Sequence, residues 1–178
     1  HRPDHARGFG DPGKTAALIT PDRDLARRVS VQLHRWGIEI DDSAGTPLAL
    51  SPPITFLRLC ATLVSGEFRP VNLLAFGKHP LAACGYDPAE FRHLMRLLEV
   101  SVLRGPLPAS GLEGLRNQVE TQDGSDALLL VLDALEEKTA RLRDIFAQGN
   151  GSLRSTVEAH IRAAEDLAAT DDQAGPAR

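Results

Sequence analysis

Hydrophobic residues recur at two different periods along this chain, and the change between them divides it. Thr15-Ala-Ala-Leu-Ile-Thr20 is a short apolar run closed by Pro21, which predicts a buried strand ending in a turn. From Asp22 the spacing becomes helical. Leu25, Val29, Leu33 and Trp36 fall on one stripe, and Gly37 stands where a helix C-terminal glycine would. Ile38-Glu39-Ile40 then alternates like a second short strand before the polar Asp41-Asp42-Ser43. Strand, helix and strand within about 25 residues form the opening of an α/β lobe.

Beyond this point the helical period dominates. Ser51-Pro52-Pro53 predicts a helix with proline in its first turn and Phe56 or Leu57, Cys60 and Val64 on its apolar face. Val71 to Phe76 is a short apolar segment stopped by Lys78-His79-Pro80. Asp87-Pro88-Ala89-Glu90 combines an Asp cap, a first-turn proline and a Glu three residues after the cap. The face of that helix is Phe91, Leu94, Leu98 and Val102, and Gly105-Pro106 ends it. Leu112, Leu115 and Val119 outline a weaker helix. Two better-defined ones carry Leu128, Leu132, Leu135, Leu142 and Phe146, then Leu153, Val157, Ile161, Ala164 and Ala168. Gln148 to Ser152 between them reads as the tight connection of an antiparallel helix pair. The expected fold is mainly α with a short α/β start (α+β): two short strands and about six or seven helices. The expected organisation is a flexible leader over 1–14, an α/β element over 15–48, a helical domain over 49–170 and a disordered tail over 171–178.

Composition narrows the class. With 178 residues, 42% hydrophobic and only 4% aromatic, the chain has material for one domain or two small ones around an aliphatic core. No apolar run approaches the roughly 20 residues of a membrane span, and the polar His1 to Arg7 has no signal-peptide core. A cytoplasmic protein without membrane partners is expected, and the missing initiator Met suits an excised piece. The net charge of −4 gives no general attraction to nucleic acid, but it is unevenly spread. Residues 1–119 hold 14 basic and 12 acidic side chains, whereas residues 120–178 hold 6 and 12. Any nucleic-acid contact therefore belongs to the first part. Cys60 and Cys84 lie in apolar surroundings without C-x-x-C spacing, which predicts buried free thiols.

One motif invites an enzyme reading. Gly8-Phe-Gly-Asp-Pro-Gly-Lys-Thr15 fits the phosphate-loop pattern, which would make the chain a small nucleotide-binding protein using Gly8 to Thr15. A working phosphate loop follows a buried strand and opens a helix, because the helix N-terminus holds the phosphates. Here a polar leader precedes it and a strand follows, so an exposed loop is expected. Asp41-Asp42 could be a metal-binding acidic pair, but adjacent residues of an extended segment face opposite sides, and a solvated turn is expected instead. His1, His5, His34, His79, His93 and His160 show no ligand spacing. No catalytic constellation, metal site or cofactor site emerges. Arg23, Arg27, Arg28 and Arg35, off the apolar stripe of the first helix, are candidate contacts to a DNA backbone together with Lys78; the alternative is a solvated face.

The run Thr15 to Val29, Leu33-His-Arg-Trp-Gly-Ile38 and Asp41 to Leu48 resembles the middle of the AddB family. Further patches are Thr55-Phe-Leu-Arg-Leu59, Leu73 to Leu81, Phe91 to Glu99 with Arg104-Gly105, and Glu158 to Leu167. The resemblance covers roughly residues 12–170 and rests on ordered patches, not on a catalytic signature. AddB-type proteins pair with AddA in a helicase-nuclease that resects broken DNA ends for homologous recombination; their helicase-like part lacks motor activity and serves recognition of the Chi sequence. The resemblance implies that residues 15–48 begin a RecA-like lobe and that the following helices are its insertion. It also implies an AddA-like helicase-nuclease subunit and DNA, single-stranded or duplex ends, as partners. The family's phosphate loop would lie far upstream, and its nuclease and iron-sulfur cysteines far downstream. Cys60 and Cys84 inherit no cluster role, and this segment is expected to be no enzyme. An incomplete two-stranded sheet would also leave a strand edge inviting pairing between copies.

Overall fold

The computed structural model describes residues 16–45, 47–122, 124–149 and 151–171, and divides the chain into two compact units, His1–Gly45 and Thr46–Arg178. Seven helices form among the described residues: α1 (Arg23–Arg35), α2 (Pro52–Ser65), α3 (Pro70–Gly77), α4 (Pro88–Leu98), α5 (Gly111–Val119), α6 (Asp126–Gln148) and α7 (Leu153–Ala168). The mainly α expectation holds. The two short strands do not form: 16–20 and 38–40 have no ladder partner among the described residues. Two strands without a third, or without a helix packed on their face, cannot satisfy their backbone groups and bury enough surface to persist. The strand edge expected to pair copies is absent with them. The leader 1–14 lies outside the described residues, as does all of the tail except Asp171.

The first unit is a helix and its flanks. Asp22 caps α1 by accepting from the N–H groups of Asp24 and Leu25 at 2.9 and 3.0 Å. At the other end Gly37, at φ +74°, lets its N–H reach the His34 carbonyl and that of Ile38 reach the Leu33 carbonyl. This pair of bonds closes the helix where the sequence predicts, and it uses Ile38 as a cap, not as a strand residue. No residue of α1 is buried.

The second unit has a real core. Phe56 of α2, Phe76 of α3 and Phe91 of α4 form an aromatic chain, with ring centroids 5.7 and 6.4 Å apart. Around it pack Leu63, Leu73, Leu98, Leu115, Val131, Leu132, Leu135 and Leu142, all essentially inaccessible. The Asp87 cap of α4 is formed as expected, accepting from Ala89 and Glu90. That helix runs on through a widened turn at Glu99–Leu103, which buries Val102, and ends at Arg104. The segment Val71 to Phe76, assigned to no element by its short apolar pattern, is the centre of α3.

The end of α7 is held by the loop between α3 and α4. The N–H groups of Ala83 and Cys84 both donate to the Leu167 carbonyl, and that of Gly85 donates to Ala169. These bonds satisfy carbonyls that a helix C-terminus leaves open. The expected face of α7 is buried only in its second half: Ala164 and Ala168 are buried as expected, with Ala159, Ala163 and Leu167, whereas Leu153, Val157 and Ile161 are exposed. Alanines allow α7 to approach α2 and α6 closely, while Leu153 and Val157, on the same side as Ala164 and Ala168, stand nearer its N-terminus and stay exposed.

Candidate functional site

The five candidate DNA contacts are divided between the units: four arginines on α1, and Lys78 at the end of α3. On α1 the arginines do not make one row. Arg23 and Arg27, four apart, lie on one side of the helix, and Arg28 and Arg35, seven apart, on another. Arg23 is engaged. Its guanidinium grips the Asp42 carboxylate through both oxygens at 3.3 and 3.2 Å and donates to the Gly45 carbonyl at 2.8 Å. Asp42 also accepts from the Ala44 N–H, and these bonds, Arg23 foremost, hold its carboxyl below the usual range. The Asp41-Asp42 pair is thus a turn in which Asp42 ties the chain back to the start of α1.

Arg27 and Arg35 are exposed and make no ion pair among the described residues, and Arg28 reaches only the Asp24 carbonyl at 3.4 Å. Among the described residues these three are the cations of α1 without an acidic partner. A groove of about 540 Å³ runs beside the second half of the helix, lined by Ser30, Val31, His34 and Arg35 and by Ile38, Glu39 and Ile40. Leu18, Ile19, Trp36, Ile38 and Ile40 are exposed in the same unit, Ile19 at 96% and Trp36 at 73%.

Lys78 donates to Glu99 at 3.0 Å, and Arg104 donates to the other oxygen of the same carboxylate at 2.9 Å. The Glu99 side chain is only 13% exposed, and its two cationic donors, Lys78 first, hold its carboxyl below 4.5. Lys78 is therefore a partner of the α4 extension before it is anything else. A second ionic group joins α5 to α6: Arg116 pairs with Asp133 and Glu136, and Arg143 donates to Glu136 at 3.0 Å. The spacing of Asp133, Glu136 and Arg143 puts them on one side of α6, a signal readable in the sequence; Arg116 on another helix carries no such signal.

A groove of about 480 Å³ opens between the α2–α3 turn, the start of α5 and the end of α6. Its floor is Phe68, with the Arg143 guanidinium 5.9 Å above the ring. Glu67 and Phe68 both take positive φ, 51° and 55°, uncommon for residues with side chains. The turn is held by α5: the Ser110 hydroxyl donates to the Glu67 carboxylate, and the Gly111 N–H donates to the Glu67 carbonyl at 3.1 Å. Both partners of the Ser110–Glu67 bond line the groove, together with Arg143 and Asp144.

The remaining reactive groups are structural. Burial pushes the Cys60 thiol up to about 12 and Cys84 higher still, so neither supplies a thiolate near neutral pH. His79 accepts the Leu81 N–H on Nδ1 at 3.2 Å and lies against Phe56; burial lowers its pKa. His160 donates to the Leu57 carbonyl. Among the described residues no group of His, Cys, Asp and Glu could hold a metal ion, and no helix is long and apolar enough to cross a membrane. Gly8 to Thr15 lies outside the described residues; residues 16–20 after it are not helical, and the first helix begins at Arg23. No family model, curated protein or solved structure matches the chain.

Proposed function

We propose that this chain is a non-catalytic segment of an AddB-like DNA double-strand-break repair protein, acting in DNA-end processing through contacts with DNA and an AddA-like subunit. The helical unit is the scaffold. The first unit is the docking element, with its apolar stripe turned to the rest of a helicase-like lobe and Arg27, Arg28 and Arg35 turned to the phosphate backbone.

The observation that carries this reading is that α1 is an amphipathic helix none of whose residues is buried: Val29 and Leu33 are half-buried, Leu25 is 36% exposed and Trp36 beside them 73%. Leu25, Leu33 and Trp36 would each contribute about 1.5–3 kcal/mol on full burial. That sum roughly matches the cost of bringing two separate molecules together, so the stripe alone suits docking within one polypeptide. The ordered sequence patches that resemble the AddB family supply the biological context. The arginines supply a non-specific, salt-sensitive contact and no base readout.

The test is fluorescence anisotropy of labelled single-stranded and duplex oligonucleotides titrated with the chain at about 20 mM and about 200 mM salt. The expected result is weak binding at low salt that is lost at high salt. Arg27→Ala/Arg28→Ala/Arg35→Ala abolishes it, while Lys78→Ala leaves it nearly unchanged. Absence of binding at low salt, or binding indifferent to the triple substitution, contradicts the DNA role. ATP binding to the same chain, lost in Lys14→Ala, would favour the nucleotide-binding alternative.

A further inference from the structure

We propose that the outer face of α4 is a docking surface for an acidic, amphipathic segment of a partner protein. Successive residues of a helix turn by about 100°, so the buried Phe91, Leu94, Met95 and Leu98 occupy one side. Arg92, Arg96, Val100 and His93, in that order around the helix, lie within about 100° of arc on the opposite side, and Leu97 borders them. These residues are exposed, Val100 at 61% and Leu97 at 44%. Cations and apolar side chains therefore share one face. Asp87 caps the helix and its inner side is fixed in the core, so the face is rigid.

The cations of this face are not neutralised among the described residues. Arg92 has no acidic residue three or four positions away on the helix, and Arg96 has only Glu99. Glu99 is already held by Lys78 at 3.0 Å and by Arg104 at 2.9 Å. Arg92 and Arg96, four apart, also repel each other, so the pair weakens α4 until an anion lies between them. Two observations select the anion. Val100 and Leu97 stand among the cations, where a phosphate backbone offers them nothing and the apolar side of a peptide covers them. The unit Thr46–Arg178 also holds 13 basic against 17 acidic side chains, so it repels a long polyanion as a whole, while a short acidic segment meets only the local field. Arginines around exposed apolar residues are the composition of a protein interface. The surface is independent of the DNA contacts proposed on α1.

The probe is a fluorescently labelled peptide of about 18 residues, with Leu at every third or fourth position and Glu on either side of that stripe, titrated with the whole chain. A single helix pair lies below the roughly 1,200 Å² of a standard interface, so anisotropy is expected to give a Kd between about 10 μM and about 1 mM. A scrambled peptide of the same composition binds about tenfold more weakly or worse. Arg92→Glu/Arg96→Glu weakens the ordered peptide by about tenfold or more, and a peptide with Lys in place of Glu binds that variant instead. Leu97→Ser/Val100→Ser weakens it by about threefold or more. The substituted side chains are exposed, so an unchanged urea midpoint is expected for both variants. Arg27→Ala/Arg28→Ala/Arg35→Ala leaves peptide binding in place, which separates this surface from the DNA contact. No binding up to about 1 mM, equal binding of the scrambled peptide, or binding that neither α4 variant alters overturns the proposal. So does peptide binding lost in the α1 triple variant but kept in the α4 variants, which places the peptide on α1. An oligonucleotide or phosphatidylserine vesicles released by Arg92→Glu/Arg96→Glu while the peptide stays bound would assign the face to phosphate and overturn it as well.

Discussion

His160 on α7 donates from Nε2 to the main-chain carbonyl of Leu57 on α2 at 2.8 Å, joining residues 103 apart in sequence. The bond pins the alanine face of α7 to α2 in one register. His160→Ala is expected to destabilise the helical unit by about 1 kcal/mol, the usual net value of such a bond. The check is the urea midpoint at constant denaturant slope.

The two units should respond unequally to the same truncation. Leu135→Ala opens a cavity at an inaccessible site of α6 and is expected to cost about 2–5 kcal/mol. Leu25 on α1 keeps 36% of its surface exposed and no residue of that helix is buried, so Leu25→Ala should cost about 1 kcal/mol or less. Equal losses in thermal or urea unfolding would mean that α1 belongs to the cooperative core.

Gly114 tests the packing of α5. A Cβ at that position would run into the backbone of Ala109, which a side-chain rotation cannot relieve. Gly114→Ala is expected to destabilise by about 1–3 kcal/mol despite its better helix propensity. A gain in melting temperature would contradict the close approach.

Acid should weaken the helical unit through Glu99 and Glu136. The carboxyl of Glu99 is held low by Lys78 and Arg104, and that of Glu136 by Arg143 and Arg116. A carboxyl whose folded value is depressed contributes its full stability above its ordinary value of 4.5 and loses it as pH falls through the lower folded value. Unfolding measured from pH 7 down to about 3 should therefore show an acid limb. Glu99→Gln is expected to lower stability at neutral pH and flatten that limb.

Cys60 and Cys84 should resist alkylation in the folded chain at pH 8 and react at ordinary rates once it is unfolded. Mass spectrometry of modification against time reads this directly. Rapid labelling of both thiols in the native protein would contradict their placement in the core.

The sequence was most legible where a local rule acts alone. Asp87 and Pro88 mark the start of α4, and Gly37 marks the end of α1, because a cap needs only its own neighbours. It misled where the outcome depends on a partner. Ile38-Glu39-Ile40 has the alternation of a strand, but a strand exists only when another pairs with it, and Ile38 serves a helix cap instead. On α7 the period and two expected core positions, Ala164 and Ala168, were read correctly, but Leu153, Val157 and Ile161 were not, since what covers them depends on where α2 and α6 approach. The five candidate cations looked alike as residue types. Arg23 and Lys78 are distinguished from the other three only by Asp42 and Glu99, acidic partners 19 and 21 residues farther along the chain.

The central claim is that a packed helical core is joined to a first helix none of whose residues is buried among the described residues. Amide hydrogen exchange on the isolated chain tests it most directly. An unpacked helix of 13 residues is marginal in water. The account predicts that the amides of Val29 to Arg35 exchange at close to unprotected rates, while those of Val131 to Leu142 in α6 exchange only with global unfolding. Protection of α1 equal to that of α6 would contradict it.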